Sequence, residues 1–311
     1  MKGFPKVKIN KLKILFLLIL GITFGAFLTL AFLNINLKLQ NSHLETYPSP
    51  ISFSPSLYPQ IKYPYTPVIS AQGAVVLDRA SKVPLFEKNP KLRFSPASTT
   101  KIMTALVGLE YFKLDDVLTI FEPNVAGSNL VFEQGERFSF EDLLYAMMLP
   151  SSNDASLAIA QNYPGGEKAF ITKMNTRAKE FRLIDTYFDD PVGLLDEKDY
   201  TTPVDLARLS SIALDNLVLR EVVSTKNKII VNESGKSYFL SNLNRLLDLP
   251  GISGIKTGFT EGAGQVLVTS KKIDGNSEII IVVMQSEDRF GDTQIILNYL
   301  DNNINYLSIH P

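Results

Sequence analysis

Ser95-Pro96-Ala97-Ser98-Thr99-Thr100-Lys101, running on into Ile102-Met103-Thr104-Ala105-Leu106-Val107-Gly108-Leu109, is the stretch from which the rest of the chain can be read. Ser95 suits a helix N-cap, and Pro96 suits the first helical position, where its missing N–H would be unpaired in any case. That start places Ser98 in the first turn and Lys101 three residues on, on the same face. A hydroxyl beside an amine is a nucleophile with its base at hand. The following run is apolar almost all round, which predicts a buried helix. Taken alone, Ser-x-x-Lys is weak, since ordinary residue usage yields about one or two in a chain of this size.

Two absences sharpen it. The 311 residues include no cysteine, which removes thiol nucleophiles, disulfides and cysteine-ligated zinc. The two histidines, His43 and His310, lie in polar or end segments, so neither a Ser-His-Asp triad nor a His-x-x-x-His metal site has material here. No metal or cofactor is expected. Any serine nucleophile must take lysine or a carboxylate as its base. No basic patch or arginine-rich stripe points to nucleic acid.

Residues 1–13 carry Lys2, Lys6, Lys8, Lys11 and Lys13 with no acid among them. Residues 14–33 are apolar or nearly so, long enough at ~1.5 Å rise per residue to cross a ~30 Å hydrocarbon core. With the lysines ahead of them, they predict an uncleaved single-pass anchor in the cell membrane. The N-terminus would be cytoplasmic and the catalytic domain extracytoplasmic. A cleaved signal peptide is the competing reading, but no small-x-small site stands before the next segment. Residues 34–68 hold Pro48, Pro50, Pro55, Pro59, Pro64 and Pro67 among Ser and Tyr, which reads as a semi-rigid extracytoplasmic stalk.

The folded part is expected over 69–306, with 307–311 as a tail. Residues 74–78 and 83–86 read as a hairpin. Ser139-Phe140-Glu141-Asp142 is a capping signature opening a helix that Pro150 ends. Helices follow over 154–163, 167–181 and, behind the cap Thr202-Pro203-Val204-Asp205, up to 214. Asp189-Asp190-Pro191 reads as a turn without chemistry, and Asp154 as a helix cap. Beyond 227 the texture changes to strands: 228–231 with 238–240, then Gly254 to Gly258, then 265–270 and 278–284 about the turn Asp274-Gly275-Asn276. An amphipathic helix over 292–300 closes the pattern. Strands at both ends with helices between predict an α+β fold. Its antiparallel sheet is built from the N- and C-terminal parts, flanked by helices, and joined to a mainly helical lobe.

Three motifs now stand in order: Ser98-Thr99-Thr100-Lys101, Ser151-Ser152-Asn153 and Lys256-Thr257-Gly258. They fall on a helix start, an interhelical loop and a strand. Lys101 can deprotonate Ser98 only when neutral, and burial together with a second cation, Lys256, should lower its pKa. Ser151 can relay a proton to a leaving amine, and Asn153 can hold a substrate amide. Lys256 and Gly258 share one face of a strand; Gly258 admits a peptide against the backbone, and the Thr257 hydroxyl can meet a substrate carboxylate. The Ser98 N–H is a natural oxyanion donor.

This set resembles the signature of penicillin-binding proteins and class A β-lactamases. Over about 69–300 the chain resembles low-molecular-mass penicillin-binding proteins of the D-alanyl-D-alanine carboxypeptidase family. The resemblance is carried by Pro96-Ala97-Ser98-Thr99-Thr100-Lys101-Ile102-Met103-Thr104-Ala105, Asn153-Asp154-Ala155 and Gly254-Ile255-Lys256-Thr257-Gly258-Phe259-Thr260. It implies acylation of Ser98 by peptidoglycan stem peptides ending in D-Ala-D-Ala, release of the last D-alanine, and hydrolysis by water. β-Lactam antibiotics would be covalent inhibitors. It further implies a second oxyanion N–H at Phe259 and makes Arg289 a candidate partner for the substrate carboxylate. Ser152 departs from the usual glycine. A D,D-endopeptidase is a close variant. A β-lactamase would need a deacylating carboxylate, and no Glu-x-x-x-Asn-type segment stands between the second and third motifs. A non-enzymatic penicillin or cell-wall sensor is the remaining alternative.

Overall fold

The computed structural model describes Gly25, Thr29, Leu30 and residues 56–123, 126–274 and 277–309. The chain divides into 1–54 and 55–311. In the first unit the three described residues are helical. The anchor expected over 14–33 otherwise lies outside the described residues. Among those described, no helix is long and apolar enough to cross a membrane, so the single-pass membrane localisation read from the sequence is not upheld.

The second unit begins with strands β1 (Ser56–Ile61), β2 (Gly73–Asp78) and β3 (Pro84–Lys88). A 3-10 turn (Ala97–Thr100) then leads into helix α1 (Lys101–Tyr111). Short strands β4 (Val117–Thr119) and β5 (Arg137–Ser139) pair before α2 (Phe140–Met148) and α3 (Asn153–Gln161). Helices α4 (Gly166–Glu180), α5 (Pro203–Ala213) and α6 (Leu217–Ser224) complete the lobe. The hairpin β6 (Asn227–Val231) and β7 (Ser237–Ser241) precedes β8 (Ile252–Thr260), β9 (Gly264–Asp274) and β10 (Ser277–Ser286). The chain continues through α7 (Arg289–Leu300) and β11 (Ile304–Ile309).

The main sheet has the order β3-β2-β10-β9-β8, all antiparallel, so N- and C-terminal strands interleave as the sequence pattern implies. Its central strand β10 is apolar on both faces, and alternation sorts its residues. Ile280, Val282 and Met284 join Val75, Val266 and Val268 in the core shared with the helical lobe. Ile279, Ile281 and Val283 join Val76 and Leu267 against Ile296, Leu297 and Leu300 of α7. The sheet is therefore a middle layer, with α7 over one face and the lobe over the other.

Local signals hold where a side chain closes its own turn. Ser139 Oγ accepts from Asp142 N–H at 3.1 Å, and Thr202 Oγ1 from Asp205 N–H at 3.2 Å. Ser95 does not cap: Pro96 holds the N-cap position, and Ser95 Oγ turns to Asp196. The segment read as stalk and the segment read as tail meet, because β1 pairs with β11 from Ser56↔Ile309 to Ile61↔Ile304. Pro59 is tolerated there because this two-stranded ribbon has a free edge on each strand.

Candidate active site

Lys101 is the first residue of α1 and fully buried. Its Nζ lies 2.9 Å from Ser98 Oγ, 2.8 Å from Asn153 Oδ1 and 3.0 Å from Val192 O. Two of these partners, the amide and peptide oxygens, can only accept. A neutral amine has two N–H groups and one lone pair, so giving both N–H groups to them leaves the lone pair facing the Ser98 hydroxyl. Burial pushes the amine down to about 7, and the carboxylates of Asp190 and Asp154 pull against that descent. Lys256 is not the cause anticipated for Lys101. The dependence runs the other way: burial lowers Lys256 far below the ordinary lysine range, with the charges of Lys101 and Arg289 adding to it.

The other two motifs converge on this pair. Ser151 adopts a left-handed φ of 67° and is buried, and its Oγ has no hydrogen-bond partner among the described residues. Ser152 caps α3, its Oγ accepting from Ala155 N–H at 3.3 Å and meeting the buried Asp154 carboxylate. Asp154 is thus not the N-cap but a first-turn residue, and it also accepts from Ala155 N–H at 2.9 Å. Asn153 Oδ1 accepts from Lys101 Nζ and its Nδ2 donates one N–H to Ala126 O at 2.5 Å, so it helps to fix the lysine.

Strand β8 is the sheet edge next to the nucleophile. At Gly258 a Cβ would lie 3.0 Å from Ala97 Cβ and 3.1 Å from Ser98 N, which explains the glycine. Lys256 and Thr257 are buried, with Lys256 Nζ donating to Thr257 O at 3.0 Å. Phe259, near the end of β8, is 62% exposed. Arg289 donates from Nη1 to Gly258 O at 2.7 Å, while its buried Nε has no partner among the described residues. It braces the strand and keeps one donor uncommitted.

Asp190, Asp196 and Asp199 escaped the sequence reading. Asp196 accepts from Ser95 Oγ at 2.7 Å, Thr260 Oγ1 at 2.5 Å and Gly262 N–H at 3.2 Å, tying the turn before Ser98 to the end of β8. The available signal was the density of acids over 189–199 around Pro191-Val192-Gly193. It does not say what they face.

An antiparallel sheet, a helical lobe and, in the seam between them, a half-buried serine beside a fully buried lysine define the class of penicillin-binding serine peptidases. Residues 60–288 match the peptidase S11 family, described as D-alanyl-D-alanine carboxypeptidase, and the chain belongs to that family. It is 31% identical over 271 residues to the D-alanyl-D-alanine carboxypeptidase DacF of Bacillus subtilis, covering 84% of this chain and 69% of that one. It is 32% identical over 248 residues to the D-alanyl-D-alanine endopeptidase of Pseudomonas aeruginosa, covering 78% of each. The crystal structure of the Streptomyces K15 DD-transpeptidase superposes with a TM-score of 0.71 at 32% identity, over 76% of this chain and 98% of that one. The chain is accordingly a serine peptidase, a hydrolase.

Proposed function

We propose that the enzyme removes the terminal D-alanine from peptidoglycan stem peptides through an acyl-enzyme on Ser98. The observation that carries this is the Lys101 amine, stripped of solvent and 2.9 Å from Ser98 Oγ. Ser98 Oγ attacks the carbonyl carbon of the penultimate D-alanine while its proton passes to Lys101 Nζ. The Ser98 N–H, with Phe259 N–H across the seam, receives the developing oxyanion. The peptide C–N bond then breaks, and the departing amine takes a proton through Ser151, whose hydroxyl has no other partner among the described residues. Water attacks the ester by the reverse proton path, freeing Ser98 and the shortened peptide. Lys256, Thr257 and the uncommitted Nε of Arg289 supply the cationic, hydrogen-bonding surface for the substrate's terminal carboxylate. A β-lactam, whose ring carbonyl stands in for the scissile amide, acylates the same oxygen.

Cutting of cross-links is the second reading, supported by the endopeptidase among the relatives. Incubating the purified protein with a synthetic peptide ending in D-Ala-D-Ala and assaying free D-alanine tests the first reading. Ser98→Ala should abolish both that release and labelling by a fluorescent penicillin. Label without D-alanine release would sink the carboxypeptidase assignment, and release from a cross-linked dimer alone would favour the second.

A further inference from the structure

The two N–H groups assigned to the oxyanion belong to separate segments, Ser98 to the turn ahead of α1 and Phe259 to the edge strand β8. Using both requires a fixed gap, because each donor must lie about 2.7–3.1 Å from one developing oxygen. Neither segment holds itself in place. Ala97, just before the nucleophile, has a left-handed φ of 48°, which an alanine keeps only under constraint from its surroundings. Strand β8 pairs with β9 alone, and among the described residues no strand lies along its other edge.

Asp196 spans the gap. Ser95 Oγ and Thr260 Oγ1 donate to the same oxygen, Oδ1, at 2.7 and 2.5 Å. Ser95 stands three residues before Ser98, and Thr260 follows Phe259 directly. The second oxygen, Oδ2, accepts from Gly262 N–H at 3.2 Å in the turn after β8. A Cβ at Gly262 would lie 2.9 Å from both Cβ and Cγ of Asp196, so that turn closes tightly on the side chain. Thr260 Oγ1 also accepts from Ala263 N–H at 3.1 Å, tying the same hydroxyl to the turn. One carboxylate oxygen can take two hydroxyl donors, and its charge strengthens each bond.

The loop that carries Asp196 is itself held firmly. The Asp190 carboxylate accepts from the backbone N–H groups of Val192, Gly193, Leu194 and Leu195. From this loop Val192 O meets Lys101 Nζ at 3.0 Å, and Gly193 presses against Ala97 O. Residues 190–196 therefore touch the amine, the turn of the nucleophile and the strand of the second donor.

We infer that Asp196 is a positioning residue for the Ser98 reaction: by joining Ser95 to Thr260 it sets the separation of the Ser98 and Phe259 N–H groups. This role rests on the proposed acyl-enzyme at Ser98. Lys256, Thr257 and Arg289 keep their places when the bridge is cut, so the loss falls on kcat and acylation, and KM is spared.

The test is a double-mutant cycle on the two hydroxyls, Ser95→Ala and Thr260→Val, with Thr260→Ser as the variant that keeps its hydroxyl. It measures kcat and KM on a peptide ending in D-Ala-D-Ala, the rate of acylation by a fluorescent penicillin, and the melting temperature. Each single change should lower kcat and acylation roughly 10- to 100-fold, with KM within about twofold. The double variant should fall no further than the worse single one, since a bridge cut at one end is already cut. Thr260→Ser should stay within about threefold of wild type. In the infrared spectrum of the penicilloyl-enzyme, the ester carbonyl band of Ser95→Ala should move to higher wavenumber as the carbonyl loses hydrogen bonding. Losses that multiply in the double variant, wild-type rates in either single one, or an unmoved carbonyl band overturn the bridge. If the wild type takes penicillin but releases no D-alanine, the carboxypeptidase reading fails alone, and the acylation cycle still decides the bridge. A wild type that does neither overturns both.

Discussion

Lys101 shows how far a single side chain can be read. Its spacing from Ser98 and the apolar run behind it announce a buried amine next to a hydroxyl, and the structure has both. The source of its low pKa was only half legible. Burial follows from the helix, whereas Asp190 and Asp154 reach it from elsewhere in the chain and oppose the shift. Ser152 was legible as a departure but not as a function. Its hydroxyl caps α3 and satisfies the buried Asp154, which glycine could not do. Replacing Ser152 with alanine should lower stability by about 1 kcal/mol in denaturant melts, with D-alanine release changed less than twofold. A large loss of activity at unchanged stability would show that this hydroxyl faces substrate instead of the cap.

At the scale of elements, hairpins and capped helices came through because their signals are local. The loop over 191–199 did not, because its partners lie on α1, α3 and β8, far away in sequence. Its decisive residue is Gly193, at φ 84°, where a Cβ would sit 1.9 Å from Ala97 O. Gly193→Ala should therefore strain the backbone and displace the turn carrying Ser98 at once. We expect a stability loss of about 2–5 kcal/mol and near-complete loss of penicillin acylation. Acylation at the wild-type rate in a folded variant would show that the loop does not set the nucleophile's position.

For the whole molecule, the α+β plan and the interleaved sheet were legible from strands at both ends of the pattern. The ribbon β1–β11 was not. Proline density masked β1, and β11 follows a helix that looked like the end of the fold. Tyr306 Oη donates to Asp78 Oδ1 at 2.9 Å, and Ile61 and Ile304 pack on the α7 side of the sheet. This bracing lies by β3, the sheet edge opposite β8. Ending the chain after Asn303 should cost about 2 kcal/mol, a drop of about 4–8 °C in melting temperature, while kcat stays within twofold. A kcat loss in the still-folded protein would show that the far edge communicates with the site.

The interleaving also dictates an order of events in the cell. A ribosome delivers β2 about two hundred residues ahead of β10, to which Val75 and Val282 must pair. Until then β2 can pair only with β3 and its other edge stands open, and Ser98 and Lys101 emerge long before the strand that carries Lys256. The enzyme is thus unarmed, and most prone to clump, for most of its own synthesis.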